Sequence, residues 1–143
     1  AARKKAMADK VIKAMGGDVS GKTIAVLGLA FKQNTDDMRD APSLDIVPAL
    51  VAAGAKIKAF DPEAMEEAKH LLNGIDYCDN AYDAAEGADA MVIVTEWDQF
   101  RALDLERIKA ALKEDIVVDL RNIYTPEDMS KRGFAYTSIG RPI

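Results

Sequence analysis

Short apolar runs alternate along this chain with longer stretches in which apolar residues recur every three or four positions. Thr23-Ile24-Ala25-Val26-Leu27 has no polar break after its first residue, as in a strand buried on both faces of a parallel sheet. Lys56 to Phe60, a weak Asp76 to Cys78, a strong Ala88 to Val94, Ile116 to Leu120 and Phe134 to Ser138 repeat the pattern. Helical spacing fills the intervals at about Leu44 to Ala53, Ala64 to Leu72, Ala81 to Glu86, Asp104 to Leu112 and Pro126 to Lys131. Pro126 stands in a first helical turn, where its missing N–H leaves no bond unmade.

Alternation of strand and helix at this pitch predicts right-handed crossovers. The fold class expected is therefore α/β: a Rossmann-like, doubly wound parallel sheet of about six strands in the order 3-2-1-4-5-6, with helices on both faces. One amphipathic helix precedes it. Met7, Val11, Ile12 and Met15 form its apolar stripe, Arg3, Lys4, Lys5, Lys10 and Lys13 occupy its other faces, and Gly16-Gly17 stops it. Asp9 and the lack of serine argue against a targeting peptide, so the helix reads as a connector packed on a neighbouring domain. Because the chain opens inside this helix without a methionine, a longer parent protein is expected.

Composition narrows the function. At 143 residues and 49% apolar content the chain has the size of one domain with one well-built core. A net charge of −5 speaks against a broad nucleic-acid face, and no apolar run approaches a membrane span. One cysteine, Cys78, excludes an internal disulfide; with one histidine, His70, it cannot build a zinc site of the usual ligand types. A reducing, cytoplasmic setting fits best.

In an open parallel sheet, ligands bind beyond the carboxyl ends of the strands, where strand order reverses. After the first strand comes a long polar loop, Gly28 to Ser43, whose last residue is placed to cap the next helix. It is not a dinucleotide fingerprint, because Ala30 and Gln33 stand where G-x-G-x-x-G needs glycines. The loop offers two cations for phosphate, Lys32 and Arg39, although its three aspartates favour a locally paired surface. Thr95-Glu96-Trp97-Asp98-Gln99-Phe100 follows the fourth strand, with Trp97 and Phe100 expected to close the core. Asp119-Leu120-Arg121-Asn122 ends the fifth, two strand spacings or about 10 Å from the first, so that Lys32 and Arg121 are placed to grip one phosphorylated ligand. Asp61, before Pro62, reads as a turn or cap; Cys78 reads as a buried structural thiol and His70 as a surface residue.

Gly21 to Lys32, followed by Asn34-Thr35-Asp36-Asp37-Met38-Arg39-Asp40-Ala41-Pro42-Ser43, resembles the opening of the C-terminal domain of the UDP-glucose 6-dehydrogenase / GDP-mannose dehydrogenase family. Phe60-Asp61-Pro62, Thr95-Glu96-Trp97 with Phe100, and Asp119-Leu120-Arg121-Asn122 resemble its later landmarks in the same order, together spanning nearly the whole chain. The wording leans towards the UDP-glucose branch over GDP-mannose and UDP-N-acetylmannosamine dehydrogenases. The resemblance implies NAD-dependent oxidation of UDP-glucose to UDP-glucuronate through a cysteine-bound intermediate. Phe31, Lys32 and Arg121 would bind the UDP-sugar, and Arg39 would reach an NAD held mainly by a separate N-terminal part.

Residues 1–17 would be the end of the central connecting and dimerisation helix, and 18–143 the nucleotide-sugar-binding domain. The full-length enzyme would be a homodimer in which this domain meets its own N-terminal domain. The glycine-rich cysteine stretch, the G-x-G-x-x-G loop and the catalytic lysine of that half do not occur here, so catalytic residues are expected elsewhere. Gln33 replaces a proline common after the Phe-Lys pair. Two other classes compete: a phosphoacceptor receiver domain, for which the acidic residues after the first and third strands are incomplete, and a non-catalytic assembly module built around the first helix.

Overall fold

The computed structural model describes residues 2–139, with side chains from residue 6 onward. In chain order the elements are α1 (Ala2–Ala14), β1 (Thr23–Leu27), α2 (Ser43–Ala52), β2 (Lys56–Phe60), α3 (Met65–Lys69), β3 (Asp76–Tyr77) and α4 (Ala81–Ala85). They continue with β4 (Ala90–Ile93), α5 (Asp98–Arg101), α6 (Leu105–Ala111), β5 (Ile116–Asp119), α7 (Pro126–Lys131) and β6 (Ala135–Ser138). All six strands are parallel, in the order β3-β2-β1-β4-β5-β6. The chain runs outward from β1 to β3 and then returns to the other side of β1. Strand order therefore reverses between β1 and β4, and that junction is where a ligand crevice opens.

Unbroken apolar strands are explained by burial on both faces. Ile24 and Val26 of β1 point into one core with Ile57, Ala59, Val92 and Val118, while Ala25 and Leu27 point into another with Phe60, Met91, Ile93 and Val117. Ile46 and Leu50 of α2 cover the first layer; Ala84 of α4, Ile108 of α6 and Met129 of α7 cover the second. Side chains on successive strand residues point to opposite faces, so a polar residue at a central position of β1 or β4, where every such position is buried, would be stranded in one core or the other.

The stripe of α1, expected to pack on a neighbouring domain, is covered by this one. Val11 and Met15 are buried in the first core, with Met7 and Ile12 packed against it. Lys22 ties down the helix end by donating from Nζ to the Met15 carbonyl at 3.1 Å, as a cation at a helix C-terminus should. Ser43 does not cap α2. Pro42 holds the cap position without a side-chain bond, and Ser43 is the first helical residue, fully buried, its hydroxyl donating to the Leu29 carbonyl at 2.7 Å. The short helix α5 was not among the expected elements, β4 is trimmed to its core, and α3 ends three residues early. Among the described residues no helix is long and apolar enough to cross a membrane.

Candidate functional site

At the carboxyl edge, β1 turns sharply into its loop. Gly28 has φ +95°, and an added Cβ would lie 2.4 Å from Thr95 Cβ, so glycine is required both by backbone conformation and by the close approach of the segment after β4. The next two residues are clamped from both sides. Leu29 and Ala30 donate their N–H groups to Asp61 Oδ2 at 2.7 and 3.0 Å, and the Ala30 carbonyl accepts from Thr95 Oγ1 at 2.8 Å.

Asp61 is the centre of this edge. Its carboxylate is fully buried; Oδ1 accepts from Glu63 N and Ala64 N, both at 2.8 Å, and Oδ2 takes a third donor, Trp97 Nε1, at 3.2 Å. The turn expected at Asp61 is present, but it is half of the residue's role: Oδ2 joins the segments after β1, β2 and β4. Five donors account for the carboxylate's lone pairs, so burial leaves none of them unmade.

From this anchored backbone Phe31 and Lys32 project outward. Phe31 is 44% exposed, an unusual position for a phenylalanine, and Lys32 has no ion-pair partner among the described residues. The loop then folds on itself: Phe31 N donates to Asp37 O at 2.7 Å, and Arg39 makes a two-pronged pair with Asp37 at 3.1 and 3.0 Å. The Arg39 side chain is nevertheless 90% exposed. Its guanidinium holds the Asp37 carboxyl below the ordinary aspartate range, first through the side-chain hydrogen bond and then through the Arg39 backbone N–H. The paired surface that the aspartates favoured is thus present at Arg39, whereas Lys32 makes no ion pair among the described residues and acts on Asp37 only as the least of the charges that lower its carboxyl.

At the last residue of β5 a second buried carboxylate does similar work. Asp119 accepts from Arg121 N at 3.1 Å, Tyr124 N at 3.0 Å and the Tyr136 hydroxyl at 2.7 Å. Asn122, at φ +57°, exchanges two bonds with the Ile139 backbone. This tight turn presents the Arg121 guanidinium to Glu96, which takes both Nε and Nη2 on one oxygen. Since Glu96 follows Thr95 directly, a continuous run of contacts joins Ala30, Thr95, Glu96 and Arg121. Lys32 and Arg121 both follow strands at the carboxyl end of the sheet, whereas Arg39 lines a cleft with Leu44, Glu67 and Leu71.

Two open clefts flank the loop. One, of about 700 Å³, is lined by Thr35 to Arg39 with Leu44, Glu67 and Leu71; the other, of about 520 Å³, by Asn34, Thr35, Asp36, Glu63 and Trp97. Trp97 and Phe100 are both buried, as expected, and Phe100 meets Phe60 edge-to-face at 6.2 Å. Cys78 is half-buried after β3, at the far edge of the sheet, and burial raises its thiol above the ordinary range, which does not suit a nucleophile. His70 is exposed at the end of α3.

A nicotinamide dinucleotide does not fit the first turn of this sheet. In a dinucleotide domain the N–H groups after β1 face the pyrophosphate and the acid after β2 faces a ribose. Here Asp61 consumes the N–H groups of Leu29 and Ala30 and is itself sealed from solvent.

Residues 25–126 match the UDP-glucose/GDP-mannose dehydrogenase family, UDP binding domain. The chain is 56% identical over 140 residues to the UDP-glucose 6-dehydrogenase of Rhizobium meliloti (strain 1021), covering 98% of this chain and 32% of that protein. Its fold superimposes with a TM-score of 0.77 on a UDP-glucose dehydrogenase from Pyrobaculum islandicum, 27% identical, covering 94% of this chain and 29% of that one. The TM-score is 0.80 with the NDP-N-acetyl-D-galactosaminuronic acid dehydrogenase from Methanosarcina mazei Go1, 26% identical, covering 98% and 29%. This chain therefore spans about a third of the length of its relatives. With the sheet order, the loop after β1 and the match over most of its length in agreement, the chain belongs to the UDP-binding domain of the UDP-glucose/GDP-mannose dehydrogenase family.

Proposed function

We propose that this chain is the nucleotide-sugar-binding part of an NAD-dependent enzyme that oxidises UDP-glucose to UDP-glucuronate. What supports the reading is that Lys32 follows β1 and Arg121 follows β5 at the same carboxyl end of the sheet, with Thr95 and Glu96 after β4 bonded to Ala30 on one side and to Arg121 on the other. Lys32 supplies a compact, unpaired ammonium and Arg121 a planar guanidinium, and both suit the diphosphate of UDP. Phe31, next to Lys32 in the chain, offers an exposed ring for the nucleotide or sugar. The 56% identity to a UDP-glucose 6-dehydrogenase favours UDP-glucose over the other sugars of the family.

This domain binds and orients substrate, and the chemistry falls to residues outside it. NAD would supply the hydride acceptor from a separate N-terminal part, with Arg39 reaching towards it beside Asp37. Residues 1–17 would end the connecting helix, residues 18–143 would form the substrate-binding unit, and the full-length enzyme would work as a cytoplasmic homodimer. The 143-residue chain alone is expected to form no NADH from UDP-glucose.

Calorimetric titration with UDP tests the site. A charge-assisted phosphate contact contributes about 1.5 to 3 kcal/mol, so Lys32→Ala and Arg121→Ala should each weaken binding by roughly tenfold or more. Lys32→Arg should rescue in part. Affinity within twofold of the parent in both alanine variants, with unchanged melting, would overturn the assignment, as would UDP-glucose-dependent NADH formation by this chain alone.

A further inference from the structure

We infer that Glu96 is a positioning residue for nucleotide binding, which holds the Arg121 guanidinium by its inner edge so that its outer edge faces the ligand. The inference rests on the proposed role of Arg121. It arises from how firmly both partners are mounted.

Glu96 sits between two fixed residues. Thr95 is fully buried and bound to Ala30 O, Trp97 is bound to Asp61, and Trp97 N donates to Thr95 O at 3.1 Å, closing a tight turn around Glu96. Arg121 stands on an equally rigid base, its N–H held by buried Asp119 and the next residue tied to Ile139. The pair itself is partly sheltered, the side chains retaining 33% and 20% of their exposure. Among the described residues Glu96 is the sole ion-pair partner of Arg121. Without it, a long side chain at the sheet edge would sample many rotamers.

The geometry also leaves Arg121 free to act. Nε donates to Glu96 Oε2 and Nη2 lies against the same oxygen, which leaves the Nη1 side of the guanidinium for phosphate oxygens. Arg39 differs: its partner Asp37 lies two residues away on the same loop, and 90% of the Arg39 side chain is in solvent. Two opposing effects must be separated at Glu96. Freezing a long side chain beforehand improves affinity by roughly 2- to 13-fold. A carboxylate across the guanidinium from a phosphate, about 6 Å away, weakens it by about threefold in water.

Glu96→Gln and Glu96→Ala both remove the charge, and only the glutamine keeps an acceptor for Arg121. In the complete protein that carries this domain, UDP affinity measured by calorimetry should stay within about threefold of the parent for Glu96→Gln. For Glu96→Ala it should be three- to tenfold weaker than for Glu96→Gln. KM for the nucleotide-sugar should be higher in Glu96→Ala than in Glu96→Gln while KM for NAD stays within twofold between them, a split that general loosening of the fold does not produce. Equal affinity in the two variants, tighter binding in both, or a parallel rise of both KM values would overturn the inference while leaving Arg121 in place. If Arg121→Ala binds UDP as well as the parent, or the parent binds none, the reading of the site fails and this inference with it.

Discussion

Replacing Asp61 by asparagine changes one atom in kind and should cost more than any other isosteric substitution at this edge. The carboxylate accepts five hydrogen bonds, three on Oδ2 and two on Oδ1. An amide has one acceptor oxygen, so its NH2 must face donors whichever way it turns. The cheaper orientation keeps the bonds from Leu29, Ala30 and Trp97 and loses those from Glu63 and Ala64. At about 1.5 kcal/mol or more for each bond to a charged acceptor, and with the Ala64 N–H left buried, Asp61→Asn should destabilise by about 3 to 5 kcal/mol. That is a large part of the stability of a domain this size.

Trp97→Phe removes one donor and leaves four, so it should cost only about 1 to 2 kcal/mol. Urea unfolding followed by far-UV circular dichroism gives both values. Trp97 is the sole tryptophan, so its emission should also shift to the red in Asp61→Asn as the clamp loosens. A loss below about 1 kcal/mol for Asp61→Asn, or a larger one for Trp97→Phe, would refute the hub.

Gly28→Ala should cost about 3 kcal/mol or more, because the new methyl meets Thr95 Cβ at 2.4 Å and its N at 2.5 Å with φ at +95°. Gly74→Ala, at φ +74° in open space, should cost about 1 kcal/mol in the same assay, and equal losses would refute the close-approach argument. Asp37 should titrate below its ordinary value near 3.8 when followed by NMR at the side-chain carboxyl. A depressed native value means that the Asp37–Arg39 contact stabilises the loop above the unfolded value and is lost as pH falls through the native one. Arg39→Ala should bring Asp37 back up towards the ordinary range, short of it by the effect of the retained backbone N–H; no movement would place the cause elsewhere.

The ends of β1 are legible because burial on both faces leaves an uninterrupted apolar run, whereas β2 alternates, with Lys56 and Lys58 between apolar residues, and is bounded instead by Gly54 before it and Pro62 after it. Length limits that signal: α5 spans only Asp98–Arg101, too short to show a helical period. The stripe of α1 stated that the helix needs a cover but not which one, since Val11 and Met15 are equally suited to a neighbouring domain or to their own. Ser43 departs from its expected cap role for a related reason. A serine before a helical run looks like a cap, and only the fold shows that the Leu29 carbonyl lies within reach of its hydroxyl. The ion pair between Glu96 and Arg121 was equally hidden, because it joins residues 25 apart whose juxtaposition depends on β4 and β5 being neighbours.

Asp61 is different, because its role follows from an account of the backbone. A turn leaving a buried strand carries N–H groups that must find acceptors. In a dinucleotide domain a pyrophosphate accepts them, and glycines let it approach; at Leu29 and Ala30 the side chains are fully buried and no such approach exists. The acceptor has to come from the protein, from a segment that β1 brings alongside. The register pairs Leu27 with Phe60, so the first side chain beyond β2 is the one positioned to supply it. That residue is an aspartate. The departure from the glycine fingerprint and the burial of Asp61 are thus one substitution in physical terms: an internal carboxylate takes the place of a bound phosphate and holds the first two residues of the loop after Gly28.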